Sequence, residues 1–237
     1  FSGWISATGS AGTIAAGDYL RARFPRMIVA AAEALQCPTL LQCGFGGHRI
    51  EGIGDKHVPW THNVRNTDAV VAIDDEHTLA LLRLFNEEAG RALLARETGA
   101  PEALLARLDW LGISSICNLI TAIKIARFFE LDSRDTLFFP MTDSLELYNS
   151  RMAGMRARDG AYTPEAAARA FARYLQGIGV DHMRELTYAD RKALHNFKYF
   201  TWVEQQGRSV DELRQLWDPD FWTATFEEAA QWDRQIE

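Results

Sequence analysis

The feature that most constrains the fold is a run of small residues near the amino end, between an apolar segment and a helical pattern. Residues 3–13 read GWISATGSAGT, and a helix-forming pattern begins directly after them. Small side chains allow backbone N–H groups to face a ligand, and a helix start adds partial positive charge. The sequence therefore predicts a strand–turn–helix unit whose turn binds a phosphate group.

This turn differs from the two common nucleotide fingerprints. A P-loop ends in Gly-Lys-Ser/Thr, and the turn contains no lysine. The dinucleotide fingerprint needs three glycines in G-x-G-x-x-G spacing, whereas only Gly9 and Gly12 are available. We therefore expect a seat for one terminal phosphate rather than for a pyrophosphate. A plain turn of small residues is the alternative interpretation.

Strand and helix patterns alternate as far as about residue 155, which indicates an α/β domain with a mostly parallel sheet. Further buried strands are predicted at residues 27–32, 68–73 and 136–139. Helices are predicted at residues 14–24, 34–43, 74–96, 101–110 and 112–131, and from residue 144 onward. In such sheets ligands bind where strand ends meet helix starts, and the loops at 7–13, 112–115 and 140–144 hold such positions.

The pattern changes after Gly160. Residues 163–177, 187–206 and 208–217 have helical patterns with no strand predicted between them. Aromatic residues recur through this part at Tyr188, Tyr199, Trp202, Trp217, Trp222 and Trp232. We therefore predict two units, an α/β domain at residues 1–157 and a helical extension at residues 158–237 that packs on the domain or on a partner chain.

The composition excludes several classes of function. The net charge of −7 over 237 residues argues against a nucleic-acid or anionic-membrane partner, which would need a basic face. No apolar run approaches the roughly 18 residues of a membrane span. Cys37, Cys43 and Cys117 form no CxxC pair, which favours a reducing, cytoplasmic setting.

The chain starts at Phe1, inside an apparent functional unit, so we expect it to be the C-terminal part of a longer protein or one chain of a cleaved one.

A glycine-rich loop is the second candidate ligand element. Residues 44–54 include five glycines, a density typical of backbone that approaches a ligand or adopts positive φ. A mobile surface loop is the alternative, but the apolar Ile50 and Ile53 argue against it. The nearby histidines, His48, His57 and His62, have spacings that match no metal-binding pattern, so we predict no metal site.

Two serines at a predicted helix start, Ser114 and Ser115, form the third candidate element. Helix capping would explain one hydroxyl and leaves the second free to contact a ligand. Thr142 to Ser144 follow a predicted strand, and capping explains part of that run too. The sequence has no Ser-His-Asp order and no Gly-x-Ser-x-Gly elbow, so hydrolysis by a serine nucleophile is disfavoured.

Taken in order, the phosphate turn, the His-x-Ile-x-Gly-Ile-Gly run and the Gly-Ile-Ser-Ser run resemble the C-terminal part of the fold-type II pyridoxal-phosphate enzymes. Cysteine synthase, cystathionine β-synthase and D-cysteine desulfhydrase belong to this group. The resemblance covers roughly residues 3–150. It implies part of the three-layer, mostly parallel α/β fold of the tryptophan synthase β-like type. The extension is similar to those of uncharacterised cysteine-synthase-like proteins.

The resemblance also implies roles for particular residues. The turn residues Gly9, Ser10, Ala11, Gly12 and Thr13 would hold the phosphate of pyridoxal 5'-phosphate. Gly52 would line another edge of the cofactor, and Ser114 would bond to its pyridine nitrogen. Ala11 stands where the family usually has a glycine. Its N–H group can still donate to the phosphate if the φ of Ala11 is negative. Because a neutral serine hydroxyl does not hold the nitrogen protonated, the ring would be a weaker electron sink, suited to α,β-elimination and β-replacement.

The resemblance further implies a PLP-dependent lyase or transferase that acts on a small amino acid and assembles as a homodimer. None of the four lysines, Lys56, Lys124, Lys192 and Lys198, matches the Schiff-base lysine. We therefore expect this chain alone to be inactive and to need a missing N-terminal segment or a partner chain. A non-catalytic binding or regulatory protein of the same fold, and a nucleotide-binding α/β domain, are the alternatives.

Overall fold

The computed structural model describes residues 1–236, apart from the side chain of Ala230. Glu237, the last residue of the predicted extension, lies outside the described residues. The described chain forms one five-stranded sheet with helices on both faces. The strands are β1 (Gly3–Ala7), β2 (Ile28–Ala34), β3 (Ala69–Ile73), β4 (Leu137–Phe138) and β5 (Met183–Glu185), in the order β4-β1-β2-β3-β5.

The four strands predicted from the sequence pair in parallel, and β5 pairs antiparallel with β3. Side chains of β2 alternate between two apolar clusters, with Ala30 and Ala32 on one face and Val29 and Ala31 on the other. Both faces of the central strands are buried, which requires helices above and below the sheet. The predicted three-layer α/β fold with a mostly parallel sheet is therefore confirmed.

The helices of the first 160 residues follow the predicted order with shifted bounds. They are α1 (Ala15–Arg23), α2 (Thr39–Gln42), α3 (Asp75–Asn86), α4 (Glu88–Thr98), α5 (Glu102–Leu105), α6 (Ile113–Phe128) and α7 (Asn149–Asp159). Short 3-10 turns occupy Val64–Asn66, Leu108–Trp110 and Leu145–Tyr148.

Three of the predicted helices were wrong in extent. The helix at 34–43 shrinks to α2, because β2 continues to Ala34 and Pro38 precedes the first helical residue. The helix at 74–96 divides at Glu87, whose extended backbone ends α3 and begins α4. The helix at 101–110 is reduced to one turn, α5, followed by a separate 3-10 turn.

The extension contains the predicted helical segments and two elements that were not predicted, a short strand and a last helix. It forms α8 (Pro164–Ala170), α9 (Tyr188–Lys198), α10 (Val210–Gln215) and α11 (Pro219–Ile236), with π-helical turns at Phe171–Gln176 and Tyr199–Gln205. The expectation of no strand among these helices was wrong, since β5 pairs with β3 at Val70 and Arg184. A strand of three residues is too short to show alternation. The boundary near residue 157 stays a prediction.

Across residues 1–236, no single helix has both the length and the apolar composition that a membrane span needs. The segments Glu102–Trp110 and Ile113–Phe128 meet that requirement only together, and they are bent by 119°.

Candidate functional site

The strand order creates a crevice at the carboxyl ends of β1 and β4. From β1 the chain moves to β2 and β3 on one side, and it later returns to place β4 on the other side. Ligands of open α/β sheets bind at such a reversal of strand order. The pairing of β1 with β4 stops at Trp4 and Phe138, and a cavity of about 250 Å³ lies beyond this point.

The structure brings all seven predicted cofactor-binding residues to this one cavity. Its lining includes Gly9, Ser10, Ala11, Gly12, Thr13, Gly52 and Ser114. It also includes Ala7, Ile53, Pro140 and Thr142, which lie in the loops predicted to line a ligand, and Asn118, which was not predicted. Elements that are more than 100 residues apart in the chain therefore meet as the sequence suggests. The individual roles of these residues stay predictions.

The turn after β1 lines the cavity and contains a series of unpaired backbone donors. Within the described part of the chain, none of the N–H groups of residues 9–13 donates a hydrogen bond to another residue, whereas the N–H of Thr8 just before them bonds to Ala32 O at 2.8 Å. No lining residue carries a charge. Helix α1 begins two residues after the turn and adds the partial positive charge of its first turn, although the N–H groups of Ala15 and Gly17 already bond to Ala11 O and Ile14 O. The turn therefore suits a monoester phosphate held by neutral donors.

Contacts on both sides hold the turn in place. The hydroxyls of Ser6 and Thr13 bond to each other at 2.7 Å, and the indole N–H of Trp4 donates to Thr13 O at 3.1 Å. From the opposite side, the Thr61 hydroxyl donates to Ser10 O at 3.0 Å. These bonds use carbonyl and hydroxyl groups of the turn and leave its N–H groups available for a ligand.

Ala11 does not meet the condition of a negative φ under which an alanine would replace glycine without strain. Its φ is +69°, in the left-handed region, and only 2% of its surface is exposed. This conformation costs a residue with a Cβ about 1–2 kcal/mol. Successive N–H groups converge when a left-handed residue interrupts the chain, which is the geometry of an anion-binding nest. The strained alanine is therefore consistent with a turn shaped for an anion.

We predict that Ala11→Gly changes the free energy of unfolding by less than about 1 kcal/mol. Relief of the left-handed strain offsets the loss of a buried methyl group, worth about 0.8 kcal/mol, and the greater freedom of glycine in the unfolded chain. Ala31 is equally buried but lies in β2. Ala31→Gly should therefore lower stability by about 1.5 kcal/mol in the same urea titration. An equal loss in both variants would contradict the strain at Ala11.

The glycine-rich loop contributes Gly52 and Ile53 to the cavity. Gly52 has a φ of +83°, which explains a glycine at this place. Ile50 in the same loop is fully buried, so the loop packs against the core and the alternative of a mobile surface loop is disfavoured.

Among residues 1–236, no cluster of three His, Cys, Asp or Glu side chains is placed to hold a metal ion. His62 is buried and bonds through Nε2 to Thr67 Oγ1 at 2.9 Å.

The two serines at the start of α6 do not cap the helix, contrary to one interpretation of the sequence. Gly112 is the N-cap residue, and it supplies no capping side chain. Instead Ser114 and Ser115 donate to Asp143 Oδ1 at 3.1 and 3.4 Å. Both hydroxyls are therefore committed to a carboxylate from the loop that follows β4.

Sequence reasoning missed Asn118, which joins the two strand ends at the cavity. Its Oδ1 accepts from the N–H of Ala7 at 2.6 Å, and its Nδ2 donates to Pro140 O at 3.1 Å. The side chain thus continues the β1–β4 ladder where direct pairing has stopped. Asn118 follows Ser114 by one helical turn in an otherwise apolar stretch, and this i, i+4 spacing could have indicated a polar face.

The extension also supports the cavity, through Lys198 at the end of α9. Only 1% of this side chain is exposed, and its Nζ donates to Trp60 O at 2.9 Å and to His62 O at 2.7 Å. Burial lowers the pKa of Lys198 to about 7. Lys198 thus fixes the backbone on either side of Thr61, the residue that bonds to Ser10 in the phosphate turn.

A larger cleft of about 720 Å³ lies between the Arg49–Glu51 segment and α7 and shares no lining residue with the cavity. It is lined by three arginines, each already paired with a carboxylate: Arg49 with Glu76, Arg151 with Glu51 and Arg158 with Asp159. These ion pairs satisfy the cations, so the smaller cavity is the better candidate site.

No protein-family model matches the chain. Solved structures do resemble it. A hydrogen sulfide-producing enzyme from Fusobacterium nucleatum aligns with a TM-score of 0.50 and 23% identity over 72% of this chain and 44% of its own. O-acetyl serine sulfhydrylase isoform 3 from Entamoeba histolytica gives 0.53 and 20%, over 71% and 45%. O-ureido-L-serine synthase with bound O-ureido-L-serine gives 0.50 and 23%, over 71% and 47%.

These likenesses show the fold. The chain has the mixed α/β fold of the fold-type II pyridoxal-phosphate enzymes, as the order of its three loops suggested. It spans less than half the length of the solved structures that it matches.

Proposed function

We propose that this chain belongs to a PLP-dependent lyase or transferase of the cysteine-synthase-like group and provides the cofactor's phosphate seat and ring contact. The observation that carries the proposal is the row of unpaired N–H groups at residues 9–13, which line one cavity together with Ser114 at the switch point of the sheet. The neutral donors fit a monoester phosphate, and the cavity of about 250 Å³ is small for a dinucleotide.

In this proposal each element has a binding or orienting task. The phosphate turn holds the monoester, Gly52 leaves room along one edge, and Ser114 contacts the pyridine nitrogen. When bound, the cofactor supplies the electron sink that allows an amino acid to lose its Cα proton and a β-substituent. Elimination or β-replacement on a small amino acid is thus the proposed reaction class. It is also the class suggested by the names of the three matched enzymes.

We further propose that the Schiff-base lysine comes from residues outside this sequence, either in an N-terminal segment or in a partner chain, within a homodimer. In support, none of the four lysines lines the cavity in the described structure. The chain alone would then bind the cofactor without turnover. A cytoplasmic setting is part of the proposal and is supported by three free cysteines, of which Cys37 and Cys117 are buried.

The test is a titration of the chain with pyridoxal 5'-phosphate, followed by tryptophan fluorescence and by the cofactor's absorbance. We expect saturable binding of the cofactor, and we expect inorganic phosphate to displace it. When the competitors are compared at the same total charge in solution, ADP and NAD should displace the cofactor no more effectively than phosphate does. Absence of binding would contradict the proposal. Tighter displacement by ADP or NAD would favour the nucleotide-binding alternative.

A further inference from the structure

A short stretch of backbone, residues 57–62, connects the helical extension to the phosphate turn, and we call it the bridging segment. On one side it contacts α9 and the π-helical turn that follows. Lys198 Nζ donates to Trp60 O at 2.9 Å and to His62 O at 2.7 Å. The indole N–H of Trp202 donates to the carbonyl of the segment's second residue at 2.9 Å. Two side chains of the extension therefore hold three carbonyls of the bridging segment.

On its other side the bridging segment holds one peptide group of the phosphate turn. The hydroxyl of Thr61 donates to Ser10 O at 3.0 Å. The Ser10 carbonyl and the Ala11 N–H belong to the same trans peptide group, so they point in opposite directions. The Ala11 N–H is one of the unpaired donors in the turn that lines the cavity. By holding the carbonyl, Thr61 fixes the direction of this N–H group.

The same peptide group determines the strained conformation of Ala11. Its φ of +69° is less favourable for an alanine than a negative φ. Rotation of the peptide plane by about half a turn would bring φ to a negative value, and it would also reverse the direction of the Ala11 N–H. Relief of strain therefore favours the rotation, and the bond from Thr61 to Ser10 O opposes it.

We propose that the helical extension sets the affinity of the cavity for phosphate through Thr61, by keeping the Ser10–Ala11 peptide in the orientation that leaves the Ala11 N–H free for the ligand. This inference rests on the proposed function, which assigns the phosphate to this turn. Thr61 and Lys198 are positioning residues, because in the described structure neither lines the cavity and both act through the bridging segment.

Thr61→Val tests the bond to the phosphate turn. It replaces a hydroxyl by a methyl group of similar size at an exposed position, so the fold should tolerate it. We expect the affinities for pyridoxal 5'-phosphate and for inorganic phosphate to fall about fivefold each, the effect of losing one ordinary hydrogen bond. Thr61→Ser is the matched control, because it keeps the donor, and it should bind both ligands about as the wild type does. Both are measured by tryptophan fluorescence titration.

A rescue experiment separates the proposed orienting role from a general weakening of the site. Glycine adopts a positive φ without strain, so in the Ala11→Gly background the peptide gains nothing by rotating. Thr61→Val should therefore lower the affinity less than about twofold in that background. An equal loss in both backgrounds would overturn the role of the Ser10–Ala11 peptide.

Lys198→Met tests whether the extension acts through Thr61. It should lower the affinity about as much as Thr61→Val, and the double variant should bind about as well as the weaker single variant, because the two changes affect one contact. Lys192→Met is the matched control, since it removes the same charge from α9 at a side chain that lies over the Trp217 ring at 4.2 Å. Trp202→Phe, which removes only the indole donor, replaces Lys198→Met if that variant does not fold.

The outcomes distinguish this inference from the proposed function. If the wild type binds pyridoxal 5'-phosphate and Thr61→Val binds it equally well, the role of Thr61 is wrong while the phosphate seat stands. Fully additive losses in the double variant would overturn the link from the extension through Thr61. Absence of binding to the wild-type chain would overturn the proposed function, and this inference with it.

Discussion

Gly12→Asp should lower the affinity for pyridoxal 5'-phosphate at least about 100-fold. The variant places a carboxylate among the N–H groups that we assign to the phosphate, and two like charges about 4 Å apart near a protein surface repel by about 4 kcal/mol. The substitution itself should be tolerated. A Cβ at Gly12 would have only Ser10 Oγ, 3.9 Å away, as a neighbour, and its backbone is open to ordinary residues.

Gly12→Ala distinguishes the effect of added charge on the affinity from the effect of added side-chain volume at this position. It adds a methyl group in the same open space and should bind within a few-fold of the wild type, because the N–H donors remain. Both affinities can be measured by fluorescence titration, with urea unfolding to confirm that the two variants are equally stable. Equal affinity of Gly12→Asp and Gly12→Ala would show that the phosphate does not bind in this turn.

The free energy of unfolding should rise by about 2 kcal/mol between pH 7 and pH 9, because of Lys198. Burial lowers its pKa in the folded chain from 10.5 to about 7. Between these values the unfolded chain binds a proton that the folded chain has released. Raising the pH therefore stabilises the folded form. Burial lowers the pKa of neighbouring His62 to about 3 and of His195 to about 4, so both stay neutral in this window.

Lys198→Met is the variant that isolates this effect. Urea unfolding of both proteins at pH 7, 8 and 9 should show the rise in the wild type and its absence in the variant. The difference between the two is the relevant quantity, because burial raises the pKa of Glu33 to about 7 and Glu33 titrates in both proteins. The same slope in both proteins would mean that the ammonium group of Lys198 is not buried.

The sequence predicted the α/β architecture, and it predicted residues that line one candidate cavity, because both depend on local patterns. Continuous apolar runs such as residues 27–32 mark strands buried on two faces, and β2 lies there. The small residues after β1 and the glycines around Gly52 allow a close approach of the backbone to a ligand. These features are encoded within a dozen residues each, and all seven predicted cofactor-binding residues line one cavity.

Features set by distant contacts escaped prediction. Asp143 was interpreted as part of a capping run because its partners Ser114 and Ser115 are almost 30 residues away in the chain. The positive φ of Ala11 was not predicted, and its methyl group is buried in one apolar cluster with Ile14 and Val29, which the local sequence does not reveal. Glu87, at the break between α3 and α4, pairs with Arg156 of α7, a contact that no local pattern reveals.

The short outer strands of the sheet have a consequence for association with other chains. An exposed strand edge is a template on which a foreign strand can dock and start a fibre. Here β4 has two residues and β5 has three, so each outer edge offers few free amides and carbonyls. Beyond β4, the Asn118 side chain occupies the amide of Ala7 that would otherwise be open. The short outer strands therefore protect the longer central strands from pairing with strands of other chains and from the aggregation that such pairing would start.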